Sequence, residues 1–495
     1  IMASQMGYGL FVNTIILRAG VGHTSPNYVK MLSKGYIGIR KDIEAEMAKL
    51  DRKNPEDLQK IYYYQASLIT LDAAEIYCKR YAALAREQAK TADEERAKEL
   101  ETIAETCDWI SVNPPRTFRE AIQLFLIGTA IIVAEANGQS ISYGRFDQFM
   151  YPFYKHDLEN GIATKEEMQE LIEACFIKLT GMQKLRDKNA VRQASGRGLG
   201  GDCMTVGGVD RSGKDATNDL TFLVLEARNH TRLISPWMAV RFHENTPYEL
   251  KVVTANSIRI GTGEPKIFND EVAIPAGLGK GYSLEDARDY TVVGCVEIDA
   301  AGYEYGCHDA TYFNVSRVLE LAINDGKWLH DGVQMGIHTG YLKDMKSFDE
   351  VLEAFDKQME YLVGLMISSI NTIEQVHKEY KPLPYLSLFI EDCVKNGRDV
   401  TAGGAKYNHS GPQALALGTA ADSLATIKQL VFDEKSITAE ELIDALKKNW
   451  EGYEKLYRLV NSDKVHHYGN DDDYADELAK FVFDTYCKYV EHRPN

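Results

Sequence analysis

Asp289-Tyr290-Thr291-Val292-Val293-Gly294-Cys295-Val296-Glu297-Ile298-Asp299 sets a short β-like run against a glycine, and Gly294 releases the chain into a loop that carries Cys295. Ser283-Leu284-Glu285-Asp286 just upstream has the form of a capping box and opens a helix before the strand. In an extended loop Cys295 and Glu297, two residues apart, point to the same side. A thiol beside a carboxylate can pair a nucleophile or radical centre with a proton carrier. The same residues also read as a buried cysteine next to a surface glutamate. His308 is near in sequence, but a Cys-His protease fits poorly, because a neighbouring carboxylate raises a thiol pKa and disfavours the thiolate. A neutral thiol suits hydrogen-atom chemistry.

Outward from this loop, short apolar runs at residues 204–209, 238–242, 290–293 and 385–390 alternate with helical segments, which predicts βαβ units and a mixed sheet or barrel. The first half is helical in period, with charged stretches at 41–49 and 83–106 that read as solvated helices. Thr117-Phe118-Arg119-Glu120, after Pro114-Pro115, predicts a capped apolar helix to Ala136 that ends at Asn137-Gly138. The polar segment Gln139-Ser140-Ile141-Ser142-Tyr143-Gly144-Arg145-Phe146-Asp147-Gln148 is expected to turn its side chains toward a cavity or partner. Thr164-Lys165-Glu166-Glu167 opens another capped helix to about Leu179, and helices are expected at 420–431, 438–448 and 471–490. No repeat, low-complexity tract or linker marks a domain boundary.

The 495 residues are 44% hydrophobic and 26% charged, which excludes disorder, and 56 Lys+Arg against 73 Asp+Glu leave a net charge of −17. That balance disfavours nucleic acid and favours a protein that handles small molecules. There is no signal-peptide pattern, and the longest apolar stretch, 121–134, is too short to span a bilayer, so a cytoplasmic protein without a membrane partner is expected. The eight cysteines (78, 107, 175, 203, 295, 307, 393 and 487) form no C-x-x-C pair, and most read as small buried hydrophobes. The chain opens on Ile1 and closes on Glu491-His492-Arg493-Pro494-Asn495, which reads as a piece of something longer.

Two motifs resemble known sites only formally. Gly196-Arg197-Gly198-Leu199-Gly200-Gly201 matches G-x-G-x-x-G, but the residues ahead of it, 184–195, are charged and helical where a strand is required. His466-His467 with Asp471-Asp472-Asp473 could suggest a metal, yet adjacent residues do not face each other and an acidic run suits a helix N-terminus. No bound metal is predicted. Asn269-Asp270 reads as a structural polar turn.

Gly294-Cys295-Val296-Glu297 resembles the active-site motif of the glycyl radical enzymes, in their dehydratase and lyase branch; pyruvate formate-lyases carry two adjacent cysteines instead. The resemblance continues through Gly22-His23-Thr24-Ser25-Pro26-Asn27-Tyr28, Asn113-Pro114-Pro115-Arg116-Thr117-Phe118, Gly144-Arg145-Phe146-Asp147-Gln148, Gly403-Gly404-Ala405-Lys406-Tyr407 and Ala421-Asp422-Ser423-Leu424. It covers nearly the whole chain in order. It implies a ten-stranded α/β barrel of two antiparallel half-barrels, surrounded by helices and with a central cysteine loop. Residues 1–495 would be one such barrel domain, incomplete at both ends.

By the same resemblance Cys295 matches the thiyl radical site and Glu297 the base that deprotonates a substrate hydroxyl. Asp309, fourteen residues after Cys295, matches an acid that binds substrate hydroxyl, His23 a histidine that assists the leaving group, and Ser140 a substrate-binding serine. Diol dehydratases of the family carry histidine where this chain has Gln139, and an aromatic residue where it has Cys307. Glutamine can hydrogen-bond a hydroxyl but cannot donate a proton as an acid does, so a leaving group that departs as a stable anion, such as sulfite, also fits. Choline lyases resemble the chain less, since proline follows their Cys-Val-Glu where Ile298 stands here.

The resemblance also implies an anaerobic enzyme, an activating radical-SAM protein, a homodimer, and a glycyl radical stored in an Arg-Val-x-Gly-Tyr motif that this sequence does not contain. The glycyl domain is then expected in cis or in trans. The leading expectation is thiyl-initiated elimination of water from a small hydroxylated substrate. A carbon-sulfur lyase, an arylacetate decarboxylase (on the strength of 28 Tyr and 17 Phe), and a silent barrel subunit that docks a glycyl domain are the alternatives.

Overall fold

The computed structural model describes residues 9–13, 16, 20–182, 184–185, 201–306 and 308–495. Most of the 184–195 and 196–201 segments discussed above, and Cys307, lie outside the described residues. The described chain is a helix-rich α/β fold with eight strands in three small sheets. It divides into two compact units, residues 1–17, 309–376 and 411–495, and residues 18–308 and 377–410.

The second unit holds five of these strands. β2 (Cys203–Gly207), β3 (Trp237–Phe242) and β4 (Lys266–Asn269) form a parallel sheet in that order. β2 is buried along its whole length and β3 at all but its last residue, which is why both read as near-continuous apolar runs. β5 (Tyr290–Val293) and β6 (Glu297–Ala300) form an antiparallel hairpin, with Val293 opposite Glu297 and Tyr290 opposite Ala300. Thr205 fastens β5 to β2: its Oγ1 accepts the Val292 N–H at 3.0 Å and lies 2.9 Å from Thr291 Oγ1. Around this frame stand the helices Tyr28–Met47, Pro55–Ala89, Glu94–Ile110, Phe118–Ala136 and Lys165–Thr180. Phe125, at the middle of the apolar helix, meets Tyr28, Tyr143, Phe146 and Phe149 at ring separations of 4.8 to 5.9 Å.

The first unit carries β1 (Phe11–Val12), β7 (Thr311–Asn314) and β8 (Pro412–Leu415), with β7 between the other two. Its helix Asp473–Val490 packs Tyr486 against Phe313 and Phe481 against Phe355. The helix Leu417–Thr426 continues as a π-helical turn over Ile427–Asp433.

Several local expectations need revision. The 385–390 run is no strand: Pro384–Ser387 is a helical turn, because the Glu135 carboxylate accepts the N–H groups of Tyr385 and Leu386 at 2.8 and 2.9 Å and so caps it. The charged stretch at 83–106 is two helices, broken where Asp93 caps the second. Of the three capping boxes expected from the sequence, at Thr117, Thr164 and Ser283, only the one of Thr164 with Glu167 closes in full. At Thr117 the hydroxyl caps as expected, but Glu120 turns to the Arg116 backbone N–H and guanidinium; at Ser283, Asp286 is drawn off to Arg211, Lys406 and Tyr407. The Asn269-Asp270 turn is the end of β4 and the cap of the helix Asp270–Gly279.

Candidate active site

Three residues, Gly294, Cys295 and Val296, join β5 to β6, so Cys295 sits at the tip of a tight hairpin with an exposed side chain. The loop is not extended. Gly294 adopts φ +57°, in the left-handed region that glycine tolerates best, and reverses the chain there. Cys295 and Glu297 are consequently linked through the loop backbone. Glu297 Oε2 accepts the N–H of Cys295 at 2.7 Å and that of Val296 at 2.9 Å, while Oε1 lies 3.7 Å from His23 Nε2.

His23 is buried, itself left-handed at φ +53°, and fixed from two sides. Its N–H donates to Gln139 O at 2.9 Å and Ser140 O at 3.1 Å, and Thr24 forms a parallel bridge with Ile141. On the other flank Ser25 N–H donates to Asp299 Oδ2 at 3.1 Å and Thr24 Oγ1 to Glu304 O at 3.0 Å. Burial pushes the His23 imidazole down to about 3, helped by the charges of His308 and Lys184. It is therefore neutral at physiological pH and can relay a proton, but it is not a resting acid.

Ser140 is buried at φ +64° and Gln139 is half-buried. Gly201 lies against Ser140: a Cβ there would be 2.3 Å from Ser140 Oγ and 3.7 Å from Gly294 O. The structure thus brings His23, Gln139, Ser140, Glu297 and the Cys295 loop to one place. Asp309 belongs to the other unit, where it accepts the Tyr312 hydroxyl at 2.9 Å and the Gln413 amide at 3.1 Å.

Within the 139–148 segment Arg145 and Asp147 turn to structural partners. Arg145 donates to Asp289 Oδ1 and to Gly207 O, both at 2.8 Å, and Asp147 accepts the Gly207 N–H at 2.9 Å and the Thr221 hydroxyl at 2.6 Å. These buried charges are used to hold β2 and the start of β5. His466 Nδ1 lies 2.7 Å from Asp472, and its ring stacks on Tyr474. Among the described residues no cluster of three or more metal-ligating side chains is assembled, and no helix is long and apolar enough to cross a membrane.

The sequence reading missed the residues that hold the hairpin. Trp237 Nε1 donates to Gly201 O at 3.0 Å and Gly294 O at 2.9 Å. Lys266 Nζ donates to Cys295 O at 3.3 Å and sits 4.2 Å above the Trp237 ring. Behind β5, fully buried Arg241 meets Asp270 through two 2.9 Å hydrogen bonds and donates to Tyr290 O at 2.8 Å. Beyond β6, buried Glu304 lies 2.7 Å from His409 Nδ1 and 3.2 Å from His308 Nε2; burial disfavours its charge, but the charge of His308, hydrogen bonds with His308 and His409, and the Lys280 ammonium hold its carboxyl well below the usual carboxylate range. Only the i, i+4 spacing of Glu304 and His308 was there to be read.

The sequence profile of the pyruvate formate lyase-like family matches residues 4–495. The chain is 51% identical over 491 residues to the (2S)-3-sulfopropanediol dehydratase of Klebsiella oxytoca, an alignment covering 99% of this chain and 59% of that protein. It is 35% identical over 466 residues to an isethionate sulfite-lyase of Bilophila wadsworthia, covering 92% of this chain and 55% of the relative. Its fold superimposes on the glycerol-bound B12-independent glycerol dehydratase of Clostridium butyricum with a TM-score of 0.94 and 38% identity, over 98% of this chain and 61% of that one. The chain spans roughly three-fifths of the length of the relatives it matches.

Proposed function

Since the chain belongs to the pyruvate formate lyase-like family, in which its relatives are glycyl radical dehydratases and lyases, we propose that it carries the thiyl hairpin of a dehydratase for a small vicinal diol. The observation that carries this reading is the exposed Cys295 thiol at the hairpin tip, with the Glu297 carboxylate at the start of β6 bonded to the Cys295 N–H and His23 Nε2 at 3.7 Å from that carboxylate. The strands would contribute to a ten-stranded barrel of two half-barrels, with a glycyl domain in cis or in trans as its partner, on whose glycine a radical-SAM activating protein would generate the radical. The glycyl radical, when present, supplies the one-electron oxidation of the Cys295 thiol to a thiyl.

Cys295 Sγ takes a hydrogen atom from the hydroxyl-bearing carbon and becomes a thiol. Glu297 takes the proton of that hydroxyl, the neighbouring carbon-oxygen bond breaks, and the departing oxygen receives the proton through His23, giving water. Cys295 returns its hydrogen atom to the product carbon and an aldehyde is released. Ser140 and Gln139 bind the substrate hydroxyls.

A sulfonated diol is the favoured substrate, supported by the 51% identical relative named for (2S)-3-sulfopropanediol. A second reading, release of sulfite from a hydroxy-sulfonate, is favoured by Gln139, which offers no acidic proton to a leaving hydroxyl. The test is to assay the activated protein with propane-1,2-diol, glycerol, (2S)-3-sulfopropanediol and isethionate. Aldehyde with intact sulfonate supports dehydration, and sulfite supports the second reading. A Cys295→Ala protein that still turns over overturns both.

A further inference from the structure

We infer that Trp237 is a positioning residue: its indole N–H sets the separation between the Cys295 loop and Ser140. Three observations carry this. Trp237 opens β3 and is buried, and its single polar atom, Nε1, is shared between two carbonyls, Gly201 O at 3.0 Å and Gly294 O at 2.9 Å. Gly201 is packed so closely on Ser140 that a Cβ there would be 2.3 Å from Ser140 Oγ, and Gly294 is the residue directly before Cys295. The indole ring also lies under the Lys266 ammonium, at 4.2 Å, which itself reaches Cys295 O at 3.3 Å. One side chain and the cation on its face therefore hold two consecutive carbonyls of the thiol-bearing loop, and the same N–H holds Gly201, two residues before β2, against Ser140.

A tryptophan serving only to fill space would need a ring and no such N–H placement. Hydrogen-atom transfer requires the carbon and the sulfur in near contact, and an error of about 1 Å in such an arrangement costs about 100-fold in rate. If Ser140 binds the substrate hydroxyl, as the proposed function has it, the indole N–H fixes the distance that matters.

Trp237→Phe removes the N–H and keeps a ring, and Lys266→Met removes the second donor at an exposed position where folding is not at stake. Two readouts are taken: turnover of the activated protein, and the rate at which iodoacetamide alkylates Cys295 in the protein before activation, which needs no radical chemistry. We expect Trp237→Phe to lower kcat by about 10- to 100-fold with KM held within about threefold, and to raise both the substrate deuterium isotope effect and the alkylation rate. Lys266→Met should shift both readouts in the same direction by less. Wild-type kcat and wild-type alkylation rates in both variants would overturn the inference. If Trp237→Phe does not fold, Lys266→Met decides alone. If the wild-type protein turns over no diol while alkylation still responds, the proposed function fails and the positioning role stands.

Discussion

His23 fills the space that a side chain on residue 294 would need: a Cβ placed on Gly294 lies 2.1 Å from His23 Cδ2 and 2.6 Å from Glu297 Oε2. Gly294 is also at φ +57°. Gly294→Ala therefore incurs both backbone strain and overlap. It should lose at least about 1–3 kcal/mol of stability, measured by urea unfolding, and displace His23 enough to abolish turnover.

Glu297→Gln keeps the size of the side chain, and its amide oxygen can still accept the Cys295 N–H, but it cannot take up a proton. Turnover should fall by about 10²–10⁴-fold in initial-rate assays while the unfolding midpoint is nearly unchanged. Cys295→Ser, at an exposed tip, should leave stability within about 0.5 kcal/mol and abolish turnover.

Arg241 and Asp270 are an ion pair with no access to water, and Asp270 also accepts the Tyr290 hydroxyl at 2.8 Å and the Val209 N–H at 2.9 Å. Asp270→Ala leaves the buried guanidinium without its counter-ion, held only by the Tyr290 and Arg288 carbonyls, and takes the acceptor from the Tyr290 hydroxyl and the Val209 N–H. The expected loss is about 3–5 kcal/mol, read from denaturant unfolding, and larger than that of the double change to Asp270→Asn with Arg241→Met.

Burial pushes the Asp299 carboxyl up to about 6 from 3.8, against the pull of His308, Lys280, the Ser25 N–H and His409. The native state then holds a proton that the unfolded chain has lost between those two values, so this group's contribution falls as pH rises through that window. The penalty is complete above the upper value. Asp299→Asn should thus gain ~1–3 kcal/mol over wild type at neutral pH. The gain should shrink to nothing near pH ~4 in unfolding measured across pH.

Much of this was legible from local patterns. β5 was expected over the same four residues that form it, 290–293, and the helices Phe118–Ala136 and Lys165–Thr180 ended within a residue of expectation, because a capping hydroxyl and a 3.6-residue apolar period leave local marks. The run at 385–390 misled because its apolar period resembles a strand while a carboxylate 250 residues upstream, Glu135, supplies the cap. His23 and Glu297 were singled out through family resemblance alone, and their approach to 3.7 Å left no mark in the sequence. Trp237, Lys266 and Arg241 left no mark, since what they bind is backbone carbonyl and one distant carboxylate, neither of which has a sequence signature.

The hairpin carrying Cys295 has a loop of three residues between the paired positions Val293 and Glu297. Side chains alternate faces along β6, so a single-residue change there that slips the register would turn Glu297 away from His23, a deletion bringing Ile298 into its place and an insertion Val296. Anyone recasting this chain for a different substrate can vary the residues that surround the loop, but its length is a fixed dimension of the scaffold.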